Sequence, residues 1–146
     1  MIRVESSIRI ERAADDVFAY IANFDNNPDW QSGMVSARYT SEPPLGVGST
    51  YAQVAKFLGR RVESNFAVVA YEPGRLVKIT STSGSFPITV TRSVEPAENG
   101  SLVHALVEGD ASGFYKVAGP LMRRMVQRSV DSDYASLKEL LESARI

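Results

Sequence analysis

The segment GPLMRRMVQRSVDSDYASLKELLES, residues 119–143, decides the fold because its apolar residues recur every three or four positions. The predicted helix has an apolar stripe of Met122, Val126, Val130, Tyr134, Leu137 and Leu141, widened by Leu121, Met125 and Leu140. At about 1.5 Å per residue it would be roughly 36 Å long. Such a helix suits the concave face of a curved sheet, which has one side to cover.

In residues 34 to 111, upstream of this helix, turn-forming residues recur between β-rich runs, a pattern typical of antiparallel strands joined by turns. The turn signals PPLGVG, LGR, EPGR, SGS and PAENGS separate six β-rich runs: MVSARYT, TYAQVAKF, RVESNFAVVAY, LVKITST, FPITVTRSV and LVHALVEGD. The segment RVESSIRIER, residues 3–12, alternates apolar and charged residues and predicts one more strand. The sequence therefore predicts seven strands.

Between the first and second strands the apolar period becomes helical, in AADDVFAYIANF at residues 13–24. The segment DNNPDW ends this helix, because Pro28 disfavours helical geometry at Asn27, and Pro28 can open a second short turn that carries Trp30. The predicted class is α+β. Its architecture is a helix-grip fold, a seven-stranded curved antiparallel sheet wrapped around a long C-terminal helix, with two short helices after strand 1.

Composition narrows the possible functions. A chain of 146 residues is expected to form a single domain, residues 1–146, with its own core. With 16 Lys and Arg against 17 Asp and Glu, the chain has no overall basic field for nucleic acid. The absence of cysteine excludes thiolate nucleophiles, disulfides and Cys-ligated metals. No signal segment or long apolar run is present, so we expect a cytoplasmic protein without stable membrane insertion.

Five segments in this order resemble the START/birch-allergen-like superfamily, also called SRPBCC, in its polyketide cyclase/dehydrase-like branch. They are DDVFAYIANFDNNPDW, LGVGSTY, VVAYEPGRLVKI, VEPAENGSLVHALVEGD and RRMVQRSVDSDYASLKELLES. The chain departs from the pattern at Ala13–Ala14, where many relatives have proline, and at Ser101, where threonine is commoner. The resemblance implies a tunnel between sheet and long helix that holds an apolar ligand of lipid, polyketide or aromatic type, and it leaves the reaction open.

Trp30 is the only tryptophan and follows a run of turn-forming residues. Either it plugs one end of the core or it lies at the mouth of a cavity. The resemblance implies packing where the short helices meet the sheet, which favours the structural role.

The predicted cavity lining consists of the residues that strand and helix parity direct inward, together with Trp30, Arg92 and Tyr115. The parity set is Tyr51, Phe57, Phe66, Val68, Phe86, Ile88, Val90, Met122, Met125 and Val126. Aromatic and methionine side chains more often fill a solid core than line a ligand pocket, but the resemblance favours a pocket here. Scattered polar groups are further candidates for the tunnel: Glu63, Asn65, Glu108, Tyr39 and Tyr71.

Arg92 is the sharpest polar candidate. In FPITVTRSV it shares its parity with Ile88, Val90 and Val94, so strict alternation directs a guanidinium to the apolar face. Burying that charge requires a carboxylate or an anionic ligand group. The alternative, which the sequence favours, places Arg92 near the strand end with its head in water.

Other chemistry has little support in the sequence. His104 is the only histidine, so a metal site or a histidine dyad is not expected, and we predict no metal and no cofactor. The chain has no GxSxG elbow, and GVG at residues 46–48 lacks the lysine and third glycine of a phosphate loop. No catalytic residue is assigned.

Arg123, Arg124 and Arg128 lie on the polar face of the long helix. Arg128 and Asp131 have the i,i+3 spacing of an ion pair. The cluster favours a solvated face, and the alternative is a patch for an anionic headgroup or a partner protein.

The sequence therefore predicts that a small hydrophobic or amphipathic molecule binds between the sheet and the C-terminal helix. One alternative is a cofactor-free cyclase or dehydratase in which Arg92 and cavity tyrosines orient the substrate. Another is a protein-interaction or quinone-carrier-like module that uses the arginine face. Either a monomer or a homodimer fits.

Overall fold

A computed structural model describes residues 2–57, 59–83, 87–109 and 119–143. The strands are β1 Ile2–Ile10, β2 Met34–Tyr39, β3 Thr50–Phe57, β4 Arg60–Glu72, β5 Leu76–Ser83, β6 Ile88–Ala97 and β7 Gly100–Gly109. They form one antiparallel sheet in the order β1-β7-β6-β5-β4-β3-β2. Strands β2 to β7 therefore pair with their neighbours in sequence, and β1 pairs with β7. The predicted curved seven-stranded sheet is confirmed.

The helices occupy the predicted places. They are α1 Ala14–Ala22, a 3-10 turn at Phe24–Asn26, α2 Asn27–Trp30 and α3 Gly119–Ser143. α1 buries Val17, Phe18, Ile21 and Ala22, the apolar face predicted from its spacing. Pro28 lies in the first turn of α2, where the N–H that proline lacks has no helical partner to lose.

The β6–β7 hairpin is tighter than the sequence indicated. PAENGS was predicted to be a turn, but β6 continues through Pro96 and Ala97, and only Glu98 and Asn99 connect the strands. Asn99 has φ 58°, a left-handed conformation that asparagine tolerates. β5 pairs with β6 only as far as Ser93, so Pro96 lacks a neighbour on that side and its missing N–H is tolerated.

The C-terminal half of α3 is packed against the core. Tyr134, Leu137 and Leu141 are at most 5% exposed. Hydrogen bonds fasten the same half to β1 and the residues after it. Lys138 Nζ donates to the Arg9 carbonyl at 2.8 Å, and Glu142 Oε2 accepts from the Glu11 N–H at 2.9 Å. This end of α3 is therefore fixed to the sheet.

Candidate functional site: a cavity beside α3

A cavity of about 230 Å³ lies between the concave face of the sheet and the middle of α3. Its walls come from β1 to β7 and from α3, and they are mostly apolar. Seven predicted residues line it: Trp30, Tyr51, Phe66, Ile88, Val90, Arg92 and Val126. The volume is below the range of about 300 to 1,000 Å³ common for ligand sites, which favours a small molecule or one part of a larger one.

Three predicted lining residues lie elsewhere in the structure. Val68 is buried in the continuous core that also contains Val17 and Phe18, and it does not line the cavity. Met122 is buried and Met125 is half-buried, but among the described residues of α3 the cavity wall begins at Val126. These three do not line the cavity of the described residues, because parity gives the direction of a side chain, whereas its position along the element decides what it meets. The side chain of Phe57, and residues Phe86 and Tyr115, lie outside the described residues.

Arg92 points inward and is 5% exposed. Arg92 Nη1 donates to the Ile21 carbonyl at 3.2 Å and to Asn27 Oδ1 at 3.3 Å. Its guanidinium lies over the rings of Trp30, at 5.0 Å, and Phe24, at 5.6 Å. These contacts favour a buried cation over a solvated one.

The interpretation that Arg92 extends to water is wrong, for two reasons. β6 pairs without a bulge at this point, with Val77 on one side and Ala105 on the other. The strand also continues to Ala97, so Arg92 lies in its middle rather than near its end. Within the described ranges no Asp or Glu carboxylate lies within 4.0 Å of the guanidinium, so its charge is not neutralised by a direct ion pair.

Trp30 both packs in the core and lines the cavity, the two roles that the sequence offered as alternatives. It is 3% exposed and packs edge-on against Tyr134, with 4.9 Å between ring centroids. It also forms part of the cavity wall beside Arg92. The packing is structural, and the same ring is in a position to contact a ligand.

Three hydrogen-bond donors of the cavity wall lack partners among the described residues. Trp30 Nε1, Gln31 Nε2 and Arg92 Nε are all buried, and no acceptor is assigned to any of them. Buried polar atoms in native proteins are nearly always hydrogen-bonded. All three atoms have almost no accessible surface, so an acceptor in the cavity could reach them only if neighbouring side chains moved.

Asp133 is a cavity residue that the sequence analysis did not single out. Its Oδ1 accepts hydrogen bonds from the Ser32 N–H and the Ser32 hydroxyl, both at 2.9 Å. Burial raises the pKa of Asp133 above its ordinary value, against the opposing effects of Ser32 and the Arg92 charge. A signal was present: Asp133 follows Val126 and Val130 at i+7 and i+3, which puts an acid on the apolar stripe.

Two tyrosines border the same space. Tyr51 is buried and stacks on Phe66 with 5.1 Å between ring centroids. Tyr134 is buried and interacts with Arg92 through its hydroxyl. Burial raises the pKa of both phenols, and the Arg92 charge opposes that rise. Both phenols are therefore neutral at physiological pH.

Other polar candidates lie outside this cavity. The side chain of His104 is 42% exposed on the outer face, with Nε2 at 3.9 Å from Glu5 Oε1. Glu63 and Asn65 are also exposed, and Glu108 lies 3.9 Å from the Arg3 guanidinium. Tyr39 and Tyr71 border a separate surface depression beside α1. Among the described residues, no three His, Cys, Asp or Glu side chains are grouped so as to hold a metal ion.

The arginine face of α3 is exposed at Arg123, Arg124 and Arg128. The expected pair of Arg128 with Asp131 is absent from the ion pairs of the described residues. Asp131 instead accepts a hydrogen bond from Gln127 Nε2 at 3.1 Å. The i,i+4 spacing of Gln127 and Asp131 makes them neighbours on one face of the helix.

Together the fold and the cavity define a class of protein in which a curved antiparallel sheet grips a long C-terminal helix around an apolar space. The chain belongs to the family described as polyketide cyclase / dehydrase and lipid transport, which matches residues 1–142. In the described part of the chain, no helix has both the length and the apolar character needed to cross a membrane.

Solved structures agree on the fold. TTHA0849 from Thermus thermophilus is 16% identical with a TM-score of 0.80, over 97% of this chain and 99% of that chain. A START superfamily protein from Mycobacterium smegmatis is 14% identical with a TM-score of 0.81, over 96% of this chain and 97% of that chain.

The di-domain ARO/CYC StfQ from the steffimycin biosynthetic pathway is 13% identical with a TM-score of 0.75, over 97% of this chain and 51% of that chain. No curated protein matches the chain. Identities this low show a common fold and nothing finer.

Proposed function

We propose that the cavity binds a small amphipathic molecule, with its apolar part against the β-sheet and α3 and an oxygen-bearing polar group beside Arg92. The observation that carries the proposal is the buried guanidinium of Arg92 on the wall of an apolar cavity. A buried charge without a direct counter-ion is costly, and an anionic or strongly accepting ligand group reduces that cost.

The charge of Arg92 supports the same orientation. Its guanidinium is a permanent cation on the cavity wall, so a carboxylate or carbonyl oxygen suits this part of the wall better than an ammonium group does. The apolar walls formed by Phe66, Ile88 and Val90 suit a hydrocarbon or aromatic portion. A fatty acid, a short polyketide and an aromatic acid all share this chemistry.

The test compares octanoate with octan-1-ol, which share an alkyl chain and differ in their polar end. Both are titrated calorimetrically into the wild type, Arg92→Met and the control Arg75→Met. The Arg75 side chain is 72% exposed in the β4–β5 turn, where its guanidinium lies 3.6 Å from the Glu72 carboxylate. Methionine fills much of the volume of the arginine stem without its charge.

We expect Arg92→Met to weaken octanoate binding about 10- to 150-fold, corresponding to about 1.5–3 kcal/mol for hydrogen bonds to a charged group. Octan-1-ol should bind Arg92→Met within about threefold of the wild type, and Arg75→Met should bind both probes normally. Thermal unfolding confirms that each variant is folded. Equal octanoate affinity in Arg92→Met and wild type would contradict the anchor, and a wild type that binds neither probe would contradict the cavity as a ligand site.

A further inference from the structure

Asp133 is the only acidic residue among the described residues that line the cavity. Both hydrogen bonds from Ser32 end on Oδ1. Oδ2 receives none from any described residue, and it is not among the buried atoms without a partner, so it retains accessible surface. One oxygen therefore fixes the carboxyl group, and the other is free to exchange a proton.

Arg92 supplies the opposite chemistry on the same cavity. Its guanidinium suits an oxygen that gains negative charge. Arg92 is more than 4.0 Å from Asp133, so the pair is not closed by a direct ion pair. The walls of one cavity therefore carry both a carboxyl group and a cation that can stabilise an oxyanion.

We propose that Asp133 is a general base for the α-carbon of a carbonyl compound whose oxygen is held at Arg92. This inference rests on the proposed function, because it requires the ligand to occupy the cavity with its oxygen beside Arg92. Asp133 Oδ2 takes the proton as the α-C–H bond breaks. The electron pair of that bond forms a C=C bond, and the C=O π electrons move to the oxygen, giving an enolate stabilised by Arg92. The proton returns from Asp133 to carbon in the reverse step, so no co-reactant is consumed.

The protonation of Asp133 suits this role. Burial raises the pKa of Asp133, which brings a carboxylate closer to the pH at which a base works best. The charged and titratable groups on the other cavity walls are Arg92 on β6 and Tyr51 and Lys56 on β3, with Tyr134 beside Asp133 on α3. The Arg92 charge and the Ser32 hydrogen bonds lower the pKa of Asp133 and so keep its carboxylate available.

The experiment measures deuterium exchange at the α-positions of octan-2-one in D2O by proton NMR, with calorimetric binding of the same ketone measured in parallel. We expect the wild type to accelerate exchange over buffer, and excess octanoate to suppress it by competing for the cavity. Asp133→Asn should bind the ketone normally and lose about 100-fold or more of the acceleration. The control Asp131→Asn lies on the exposed face of α3 and should behave as the wild type.

Ser32→Ala provides an independent readout. It removes one of the hydrogen bonds that stabilise the Asp133 carboxylate, so the pKa of Asp133 rises further and the midpoint of the exchange rate against pH moves to higher pH. If Asp133 had only a structural role, the midpoint would not move. The Ser32→Ala measurement also tests the proposal if Asp133→Asn does not fold.

Two outcomes would overturn the assignment of Asp133: ketone binding without accelerated exchange in the wild type, or unchanged exchange in a folded Asp133→Asn. An unmoved midpoint in Ser32→Ala would do the same. Failure of the wild type to bind octan-2-one, octanoate or octan-1-ol is a different result, and it would remove the proposed function itself.

Discussion

The two halves of α3 share one apolar spacing and meet different surroundings. In the C-terminal half, Leu137 and Leu141 are at most 1% exposed. In the N-terminal half, Val126 and Val130 continue the same stripe but remain partly exposed along the cavity. The difference shows that helical periodicity identifies the face directed at the sheet without showing whether the space beneath that face is filled.

The short helices account for the difference. Trp30 at the end of α2 packs on Tyr134, and the apolar face of α1 belongs to the same core as Leu137. Lys138 and Glu142 add hydrogen bonds to β1 and the residue after it. Beside Val126 and Val130 the described structure has a cavity instead. We call the segment Tyr134–Ser143 the closed half of α3, and residues 126–133, which border the cavity, the open half.

The largest expected effect is on stability, from truncation in the closed half. Leu137→Ala should reduce the free energy of unfolding by about 2–5 kcal/mol, because it leaves a void in a fully packed site. Val130→Ala should cost about 1 kcal/mol or less, since Val130 already borders open space and loses little burial. Urea denaturation measures both, and equal losses would show that the two halves are packed alike.

Larger side chains at the same two positions should separate stability from ligand binding. Val130→Phe extends into the cavity, so it should change the free energy of unfolding by less than about 1 kcal/mol and weaken octanoate binding at least about tenfold, because the bulk displaces the ligand. Leu137→Phe overpacks the closed half and should cost about 1–3 kcal/mol while octanoate still binds. A Val130→Phe variant with wild-type affinity would place the ligand elsewhere.

Asp133, at the end of the open half, should make the stability of this half depend on pH. The folded-state pKa of Asp133 is raised, so its contribution to stability is fully present below the unfolded pKa and is lost as pH rises through the folded pKa. Asp133→Asn keeps an oxygen for Ser32 and has no charge to bury. The stability of Asp133→Asn relative to the wild type should therefore increase from acidic to neutral pH, as measured by thermal unfolding. A constant difference would contradict the burial of this carboxylate.

Glu142 in the closed half should change stability with pH in the direction opposite to Asp133, and its effect should be the smallest of those predicted here. Its pKa is lowered, chiefly by the hydrogen bond from Lys138. Its contribution is therefore present above the unfolded pKa, near 4.5, and is lost as pH falls through the lowered folded value. Glu142→Gln should be less stable than the wild type at neutral pH, with the difference shrinking toward acid. A difference that grew toward acid would contradict this account.

Sequence periodicity predicted most of the fold and part of the candidate site. The spacing in α3 and the alternation in β6 were strong signals, and β6 parity correctly directed Arg92 inward. The end of β6 was misplaced because Pro96 and Asn99 are turn formers by composition, whereas the edge position of Pro96 and the φ of Asn99 let the strand and a short turn accommodate them. That error also made Arg92 look close to the strand end.

The position of the cavity could not be predicted from single elements. It depends on which part of α3 is covered by α1 and α2, and this is set by contacts between residues distant in sequence, such as Trp30 with Tyr134. Asp133 was missed because its partner Ser32 is 101 residues away. Only the folded chain brings Ser32, Arg92 and Asp133 to one cavity.

The most direct test of a ligand site beside the open half uses the single tryptophan. Its indole N–H gives one isolated resonance in a ¹⁵N–¹H correlation spectrum, and the Trp30 ring lines the cavity beside Arg92. With octanoate we predict a saturable shift of that resonance, half-complete at the calorimetric Kd, and no such shift in Val130→Phe. Octanoate binding that leaves the indole resonance unmoved, or that moves it equally in Val130→Phe, would contradict the cavity as the binding site.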